Sequence, residues 1–404
     1  MPASRLTILC LASYEKGYDF LRQAKQQGAR VLLLTSLSLR DKAQWPREAL
    51  DDIFYMPDEK KVWNRTHTLH AVCHLMRTVA VDRIVPLDDF DLEMAAFLRE
   101  HTRIPGLGES QTRYFRDKLA MRMQAAAHGI PVPPFTGLFH HPAVRAFTEQ
   151  VPGPWVLKPR SMAGAIGIRK IEFVGELWEI LGALGDQQSY YLLERFLAGD
   201  VFHVDTVMYG GEVQFAVVSR YGRPPLEVSQ GGGIFTTRIV VRGSEVEREL
   251  LAANQRVLTA MGLRDGVAHT EFIRAEMDGK IYFLETSARV GGAHVADLLE
   301  AATGVNPWRE WARIECATPE QPYAAPAARA DYGGLLVSLA RQEFPDLTPF
   351  ADPEVVWRLV KRHHVGFIVR SPDPNRVEEL LGHYTQRVLA DYHAALPPKE
   401  RPSE

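Results

Sequence analysis

Residues 269–289, HTEFIRAEMDGKIYFLETSAR, constrain what this chain can fold into more than any other stretch. Two strand-like runs flank a turn at Met277, Asp278 and Gly279, residue types that close a hairpin. A three-residue loop pairs Glu276 with Lys280, and counting outward from that pair sets Glu271 opposite Glu285. Side chains alternate along a strand, so His269 joins the Glu271 face, and Ser287 and Arg289 join the Glu285 face. Directly opposed carboxylates are destabilising unless something positive sits between them. The pattern predicts a site for a hard cation such as Mg²⁺, which takes one or two carboxylates and completes its shell with water and phosphate. In this register Ile273, Ile281 and Phe283 lie on the same face, which argues against an open, solvated sheet edge.

Such a hairpin needs a sheet to join, and 404 residues imply two or three domains. Residues 6–12 and 31–35 are short apolar runs separated by an amphipathic stretch, Tyr18 to Gln27, that ends at Gly28. This is a βαβ opening. A strand over Asp52–Met56, a helix over about 65–79 and a strand running into a helix in DRIVPLDDFDLEMAAFLREH continue the alternation, which implies a parallel sheet. The region lacks GxGxxG, so a dinucleotide reading is weak. Asp88, Asp89 and Asp91 read as a helix N-terminus in preference to a metal cluster.

From Tyr114 a helix is expected with Phe115, Leu119, Arg122 and Ala126 on one face, stopped by Gly129 and Pro131, and a boundary falls near 112. Between 153 and 295 strands alternate with hairpins at Gly210-Gly211 and Asp278-Gly279, and one helix falls near 244–261. After about 317 a Pro- and Ala-rich segment leads into strand-like WRLVK and GFIVR and a charged tail after Leu396.

Composition removes several classes of function. Lys plus Arg number 47 against 50 Asp plus Glu, so no basic field exists to grip nucleic acid or an anionic membrane. The three cysteines are scattered without a CxxC pair, and no stretch approaches a membrane span, which makes a cytoplasmic location the expectation.

Two further segments suit a nucleotide. In WVLKPRSMAGAIGIRKI, Lys158 ends an apolar strand before a small loop, Ser161 to Gly167, whose backbone N–H groups and neighbouring charge suit polyphosphate. It is no P-loop, and alone it reads more readily as a flexible hairpin with a surface lysine. In YYLLERFLAGDVFHVDTV, an apolar strand reaches Glu194, Phe196 and Leu197 before the Gly199 turn, a hinge that can supply an adenine slot, although a buried hairpin looks the same. His203 alternates with Asp205 and either lines the nucleotide pocket or is a satisfied strand histidine.

The order Lys118, Lys158, Glu194, Glu271, Glu285 resembles the ATP-grasp carboxylate–amine ligases. AHTEFI followed by FLETSARVGGAHVADLLEAATGVN looks most like their L-amino-acid ligase group, which includes dipeptide synthetases. The resemblance covers about residues 5–315. It implies α/β and α+β architecture: a Rossmann-like pre-ATP-grasp domain over 1–112, an ATP-grasp domain of two α+β lobes over 113–316, and a small C-terminal α+β subdomain with a disordered tail over 317–404. It further implies that Lys118 and Lys158 hold the ATP phosphates under the Ser161, Met162, Ala163, Gly164 and Gly167 loop, with Glu194, Phe196 and Leu197 beside adenine. Glu271, Glu285 and Ser287 would hold two Mg²⁺ ions, with Mn²⁺ as a substitute. Arg289 would neutralise phosphate or a substrate carboxylate, and His269, Gly291 and Gly292 would border the acyl substrate, with Arg238 among the distant residues shaping specificity. Val201 stands where relatives often carry a ribose-binding glutamate, leaving Asp200 as its substitute, and Ser287 stands where many carry asparagine. The implied partners are a small carboxylate and an amine, and a homodimer is the family expectation. Loading of an amino acid onto a carrier-protein thiol and non-catalytic ATP binding stay open as alternatives.

Overall fold

The computed structural model describes residues 5–395, so the tail expected after Leu396 lies outside the described residues. The chain opens with β1 (Thr7–Ala12), α1 (Tyr18–Gln26), β2 (Arg30–Ser36), β3 (Asp52–Met56), α2 (Arg65–Leu75), β4 (Arg83–Pro86) and α3 (Leu92–Thr102). The four strands form a parallel sheet in the order β3-β2-β1-β4. All six residues of β1 are buried, as expected of a strand covered on both faces.

The chain then enters α4 (Lys118–Ala127), and here the observed helix differs from the expected one. Asp117 caps it by accepting from the N–H groups of Leu119 and Ala120 at 3.0 and 3.4 Å, so the helix starts there and 113–115 form a separate short turn. Its inward face is Lys118, Leu119, Met121, Arg122 and Ala125, while Ala126 is exposed. A small antiparallel sheet follows from β5 (Phe135–Gly137), β6 (Trp155–Pro159), β7 (Arg169–Ile171) and β8 (Tyr191–Arg195), in the order β5-β8-β6-β7. The helices α5 (His141–Gln150) and α6 (Val174–Leu184) bury Val144, Leu177 and Leu181 against Trp155, Leu157 and Leu193 of this sheet.

The largest sheet has eight strands. In chain order these are β9 (Gly199–Tyr209), β10 (Glu212–Tyr221), β11 (Phe235–Ile239), β12 (Gly266–Ala275), β13 (Ile281–Ser287), β14 (Tyr332–Leu339), β15 (Val355–Arg358) and β16 (His364–Ser371). Their spatial order is β13-β12-β9-β10-β11-β14-β16-β15, so the C-terminal strands extend this sheet through the β11–β14 pair. One face carries α7 (Glu245–Met261), whose Leu250, Val257 and Leu258 pack with Phe202, Phe272 and Phe283. On the other face α8 (Val295–Thr303) covers Val217, Ile239, Leu335 and Ile368. Next, α9 (Pro307–Glu315) packs Trp311 edge-on to Phe20 of α1, ring centroids 5.3 Å apart. One core therefore runs from β1 and α1 through Trp311 to Val207 and Val267 of the large sheet. Burying each such aromatic contributes roughly 2–3 kcal/mol, enough to hold the two sheets in register. The chain closes with α10 (Pro374–Asp391), a helix that the sequence reading did not anticipate.

Candidate active site

The β12–β13 hairpin sets Glu271 opposite Glu285 and His269 opposite Ser287, as its sequence implied, but by another route. The connection is longer than three residues: Ala275 pairs with Lys280, and the Gly279 N–H donates to the Ala275 carbonyl at 2.8 Å. An irregularity between Glu271 and Phe272 offsets that extra residue and restores the carboxylate pair. Its second effect is to turn residues 281–283 to the other face. Phe272 now pairs with Phe283, and Ile281 and Phe283 pack under α7, while Ile273 stays on the Glu271 side with Tyr221 and Leu197.

Each carboxylate is held. Lys118 Nζ lies 2.7 Å from Glu285 Oε2 and donates to the Met162 carbonyl at 2.6 Å, which ties the hairpin to the loop after β6. Tyr221 donates to Glu271 Oε1 at 2.7 Å, and His269 Nε2 stands 3.7 Å from the same oxygen. Burial works against charge on Glu271, but His269 and Tyr221 outweigh it and hold its pKa at about 2. Behind this pair, Asp205 bridges two imidazoles, His203 Nδ1 at 2.6 Å and His269 Nδ1 at 2.8 Å. Burial opposes charge on His269 as well, but Asp205 overrides it and lifts its pKa to about 9. Gly291 is packed onto this bridge: a Cβ there would stand 2.7 Å from Asp205 Oδ1 and 2.9 Å from His269 Nδ1.

The N-terminal sheet contributes a residue that sequence reasoning had set aside. Asp88 does cap a short turn, accepting from the Phe90 N–H at 3.1 Å. Asp89 instead points into the site, pairs with Arg116 at 2.5 Å, accepts from the Ser287 hydroxyl, and lies 3.8 Å from Arg289 Nε. Burial would raise its pKa, but Arg116 and Arg289 hold it down at about 2. Arg116 also donates to the Ser161 carbonyl at 2.7 Å. No local pattern marks Arg116 or Asp89, because they meet only when the two sheets dock. Among the described residues the Nε groups of Arg116 and Arg289 are buried without a hydrogen-bond acceptor. With Lys118 they border a small cleft lined also by Glu285, Ser287 and Met162. Buried donors without a hydrogen bond beside a lysine suit an anion.

The remaining expected residues divide. Lys158 forms an ion pair with Glu194, whose carboxylate is 2 % exposed and also meets Arg122 Nη2 at 2.9 Å. Burial would raise the Glu194 pKa, but Arg122 and Lys158 push it below the ordinary carboxylate range. The Glu194 side chain therefore braces Lys158 and is not open to a ligand. Ser161 through Gly167 form turns, with Ala165 and Gly167 at φ 60° and 72°. Two other residues are not brought to the carboxylate pair. Arg238 lies on the opposite face of the sheet, because β11 sends alternate residues to α10, and it pairs there with Glu378 at 2.7 Å. Asp200 also falls on the opposite face and pairs with Arg220. His203 is fully buried opposite Glu271 in the sheet, its Nε2 and Thr237 Oγ1 lie 2.8 Å apart, and it meets the site through Asp205 and through ring contacts with Tyr221 and His269.

No family model matches the chain. Over 264 residues it is 26% identical to an L-arginine-specific L-amino acid ligase from Bacillus subtilis, a span of 64% of this chain and 62% of that protein. Its structure superposes on an L-amino acid ligase from Bacillus licheniformis with a TM-score of 0.76, at 17% identity and covering 98% and 99% of the two chains. An N5-carboxyaminoimidazole synthetase from Staphylococcus aureus complexed with ADP superposes with a TM-score of 0.71, at 14% identity over 94% and 96%. Sheet order, the paired carboxylates and these likenesses agree: the chain has the ATP-grasp fold, and its sequence relatives include an L-amino acid ligase.

Proposed function

We propose that this protein is an ATP-dependent carboxylate–amine ligase that activates an amino acid as an acyl phosphate and joins it to an amine, releasing ADP and phosphate. The observation that carries the reading is the Glu271–Glu285 pair held by Tyr221 and Lys118 beside the Nε groups of Arg116 and Arg289, which lack a hydrogen-bond acceptor. The domain division at 112 and 316 goes with it, as does a cytoplasmic location, and no helix among the described residues is long and apolar enough to cross a membrane.

The donor set fits Mg²⁺. Two carboxylates and the Ser287 hydroxyl are hard oxygens, and the bonds to Tyr221 and Lys118 fall on one oxygen of each glutamate. When bound, the ion would neutralise charge on the phosphates during transfer. The chain's own residues do the rest. Lys118 and Lys158 take the phosphates, each exchanging a carboxylate partner for phosphate oxygen, and the Ser161–Gly167 loop closes above to exclude water from the acyl phosphate. Attack by the substrate carboxylate on the γ-phosphorus breaks the bond to ADP, and the amine then displaces phosphate from the acyl carbon. Arg289 and Arg116 offset the charge that develops on the transferred group. His269, kept protonated by Asp205, donates to the acyl substrate and orients it; it is not a base near neutral pH.

The test is Mg-ATP-dependent ADP release with mass spectrometry of products over paired L-amino acids, small acids and amines. An amide of summed mass minus water, formed only when acid and amine are both present, supports the reading. ADP release with an acid alone and hydroxamate trapping points to a thiol acceptor. ATP binding with no substrate-dependent release across the panel removes the ligase reading.

A further inference from the structure

A second and larger cavity, about 450 Å³, lies where β4 and α3 of the N-terminal sheet, residues 262–267 and α9 come together. That volume falls in the range of small-molecule sites. The cavity is separated from the carboxylate pair by one segment of chain: Ser287 and Arg289 line the cleft beside Glu285, while Ala288 between them lines this cavity. About half of its wall is apolar, with Leu92, Leu107, Leu263, Val267 and Ile314 among the contributing residues.

Its charges are unevenly matched. Asp265 accepts from the Gly210 N–H at 2.7 Å, and Glu315 accepts from Trp311 Nε1 at 3.1 Å and faces Arg83 at 3.8 Å. Arg99 is 8 % exposed, and its guanidinium donates only to the neutral carbonyls of Ile84, at 2.8 Å from Nε, and Leu107, at 3.4 Å. Among the described residues no carboxylate forms an ion pair with it, although the charge of Glu315, on the same wall, acts on it from farther away. Arg264, exposed at the rim, likewise has no carboxylate partner among them. Arg83, Arg99 and Arg264 face only Asp265 and Glu315 across the cavity, an excess of positive charge that an anionic ligand would offset, while the apolar part of the walls rewards an apolar body.

We propose that this cavity is a second ligand site, separate from the nucleotide cleft, for a small carboxylate with an apolar body whose charged end meets Arg99 and Arg264. The probe is octanoate, titrated calorimetrically into the whole protein with the nucleotide cleft saturated by Mg²⁺ and a non-hydrolysable ATP analogue. The expected result is one octanoate per chain, unaffected by the analogue, and at least tenfold weaker binding after Arg264→Glu. Ala317→Trp, which fills the cavity from its rim, should abolish binding, and each variant is first checked for native circular dichroism. Octanol and octylamine test the charge, and neither should bind comparably. Absence of saturable octanoate binding up to millimolar concentration overturns the proposal. So does displacement by the ATP analogue, equal affinity for octanol or octylamine, or indifference to both substitutions.

Discussion

Asp89, just beyond β4 of the parallel sheet, and Arg116, two residues before Lys118, form a buried ion pair 2.5 Å long that joins the N-terminal sheet to the cleft beside Lys118 and Glu285. Because Arg116 also holds the Ser161 carbonyl, this pair couples the position of the Ser161–Gly167 loop to the docking of the two sheets.

Replacing Asp89 by Asn leaves two guanidinium groups facing a neutral amide, which should destabilise the fold by about 3–5 kcal/mol. The acid limb supplies a specific check. With a folded pKa of about 2 against an ordinary value near 3.9, the Asp89 carboxylate contributes stability above pH ~4 and loses it as pH falls toward 2. Urea midpoints measured from pH 5 to 2.5 should therefore fall less steeply in D89N than in the parent, and parallel slopes would contradict the assignment.

Glu285→Gln should lower Mg-dependent ADP release by at least ~10²-fold, since it removes a charged ligand and the partner of Lys118. The thermal midpoint should stay within a few degrees, because Lys118 keeps its bond to the Met162 carbonyl. A variant with parent-like turnover would remove Glu285 from the metal site.

The imidazole of His269 should titrate near pH 9 when followed by nitrogen NMR, and Asp205→Asn should bring it back toward 6.5. A raised folded pKa means that its stabilisation is complete below about 6.5 and is lost as pH rises through 9. The KM for the acyl substrate should rise over that alkaline range with kcat less affected. A pH-independent KM would show that His269 does not touch the substrate.

Gly167 sits at φ +72°, and a Cβ there would come within 2.9 Å of Pro159 Cγ. Gly167→Ala should slow turnover by about tenfold through the loop and cost more than ~1 kcal/mol in stability, because alanine is strained at positive φ. Equal losses in Lys158→Ala and G167A, with no change in ATP affinity for either, would place the loop away from the phosphates.

Arg122 is 0 % exposed and shares Glu194 with Lys158. Arg122→Met should therefore lower stability by about 3–5 kcal/mol in chemical denaturation and also weaken ATP binding, because Glu194 would then be held by Lys158 alone. A stability loss with unchanged ATP affinity would confine Arg122 to the core.

What could be read from the sequence was whatever depends on neighbours in the chain. Alternation placed β1, β2 and β3, and the turn residues placed the hairpin that carries Glu271 and Glu285. Yet the same count put Ile281 and Phe283 on the wrong face, since a longer turn and a compensating irregularity flip residues 281–283 without disturbing the carboxylate pair. The helix α4 starts later than its apolar spacing suggested because a capping aspartate decides where hydrogen bonding begins.

Interactions between distant segments followed other rules. Asp89 had the local marks of a helix N-terminus, and only docking of the parallel sheet on α4 turned its carboxylate toward Arg116, Ser287 and Arg289. Arg238 looked available for substrate, but the pleat of β11 carries it to the far face and to Glu378. Glu194 has the spacing of a hinge residue, yet burial between Arg122 and Lys158 commits its carboxylate to holding a lysine. By itself the sequence determined which side chains are presented along each strand and turn. Only the tertiary structure decided which charges meet, because an ion pair forms where packing brings two elements within a few ångströms, and that proximity is written in no single segment.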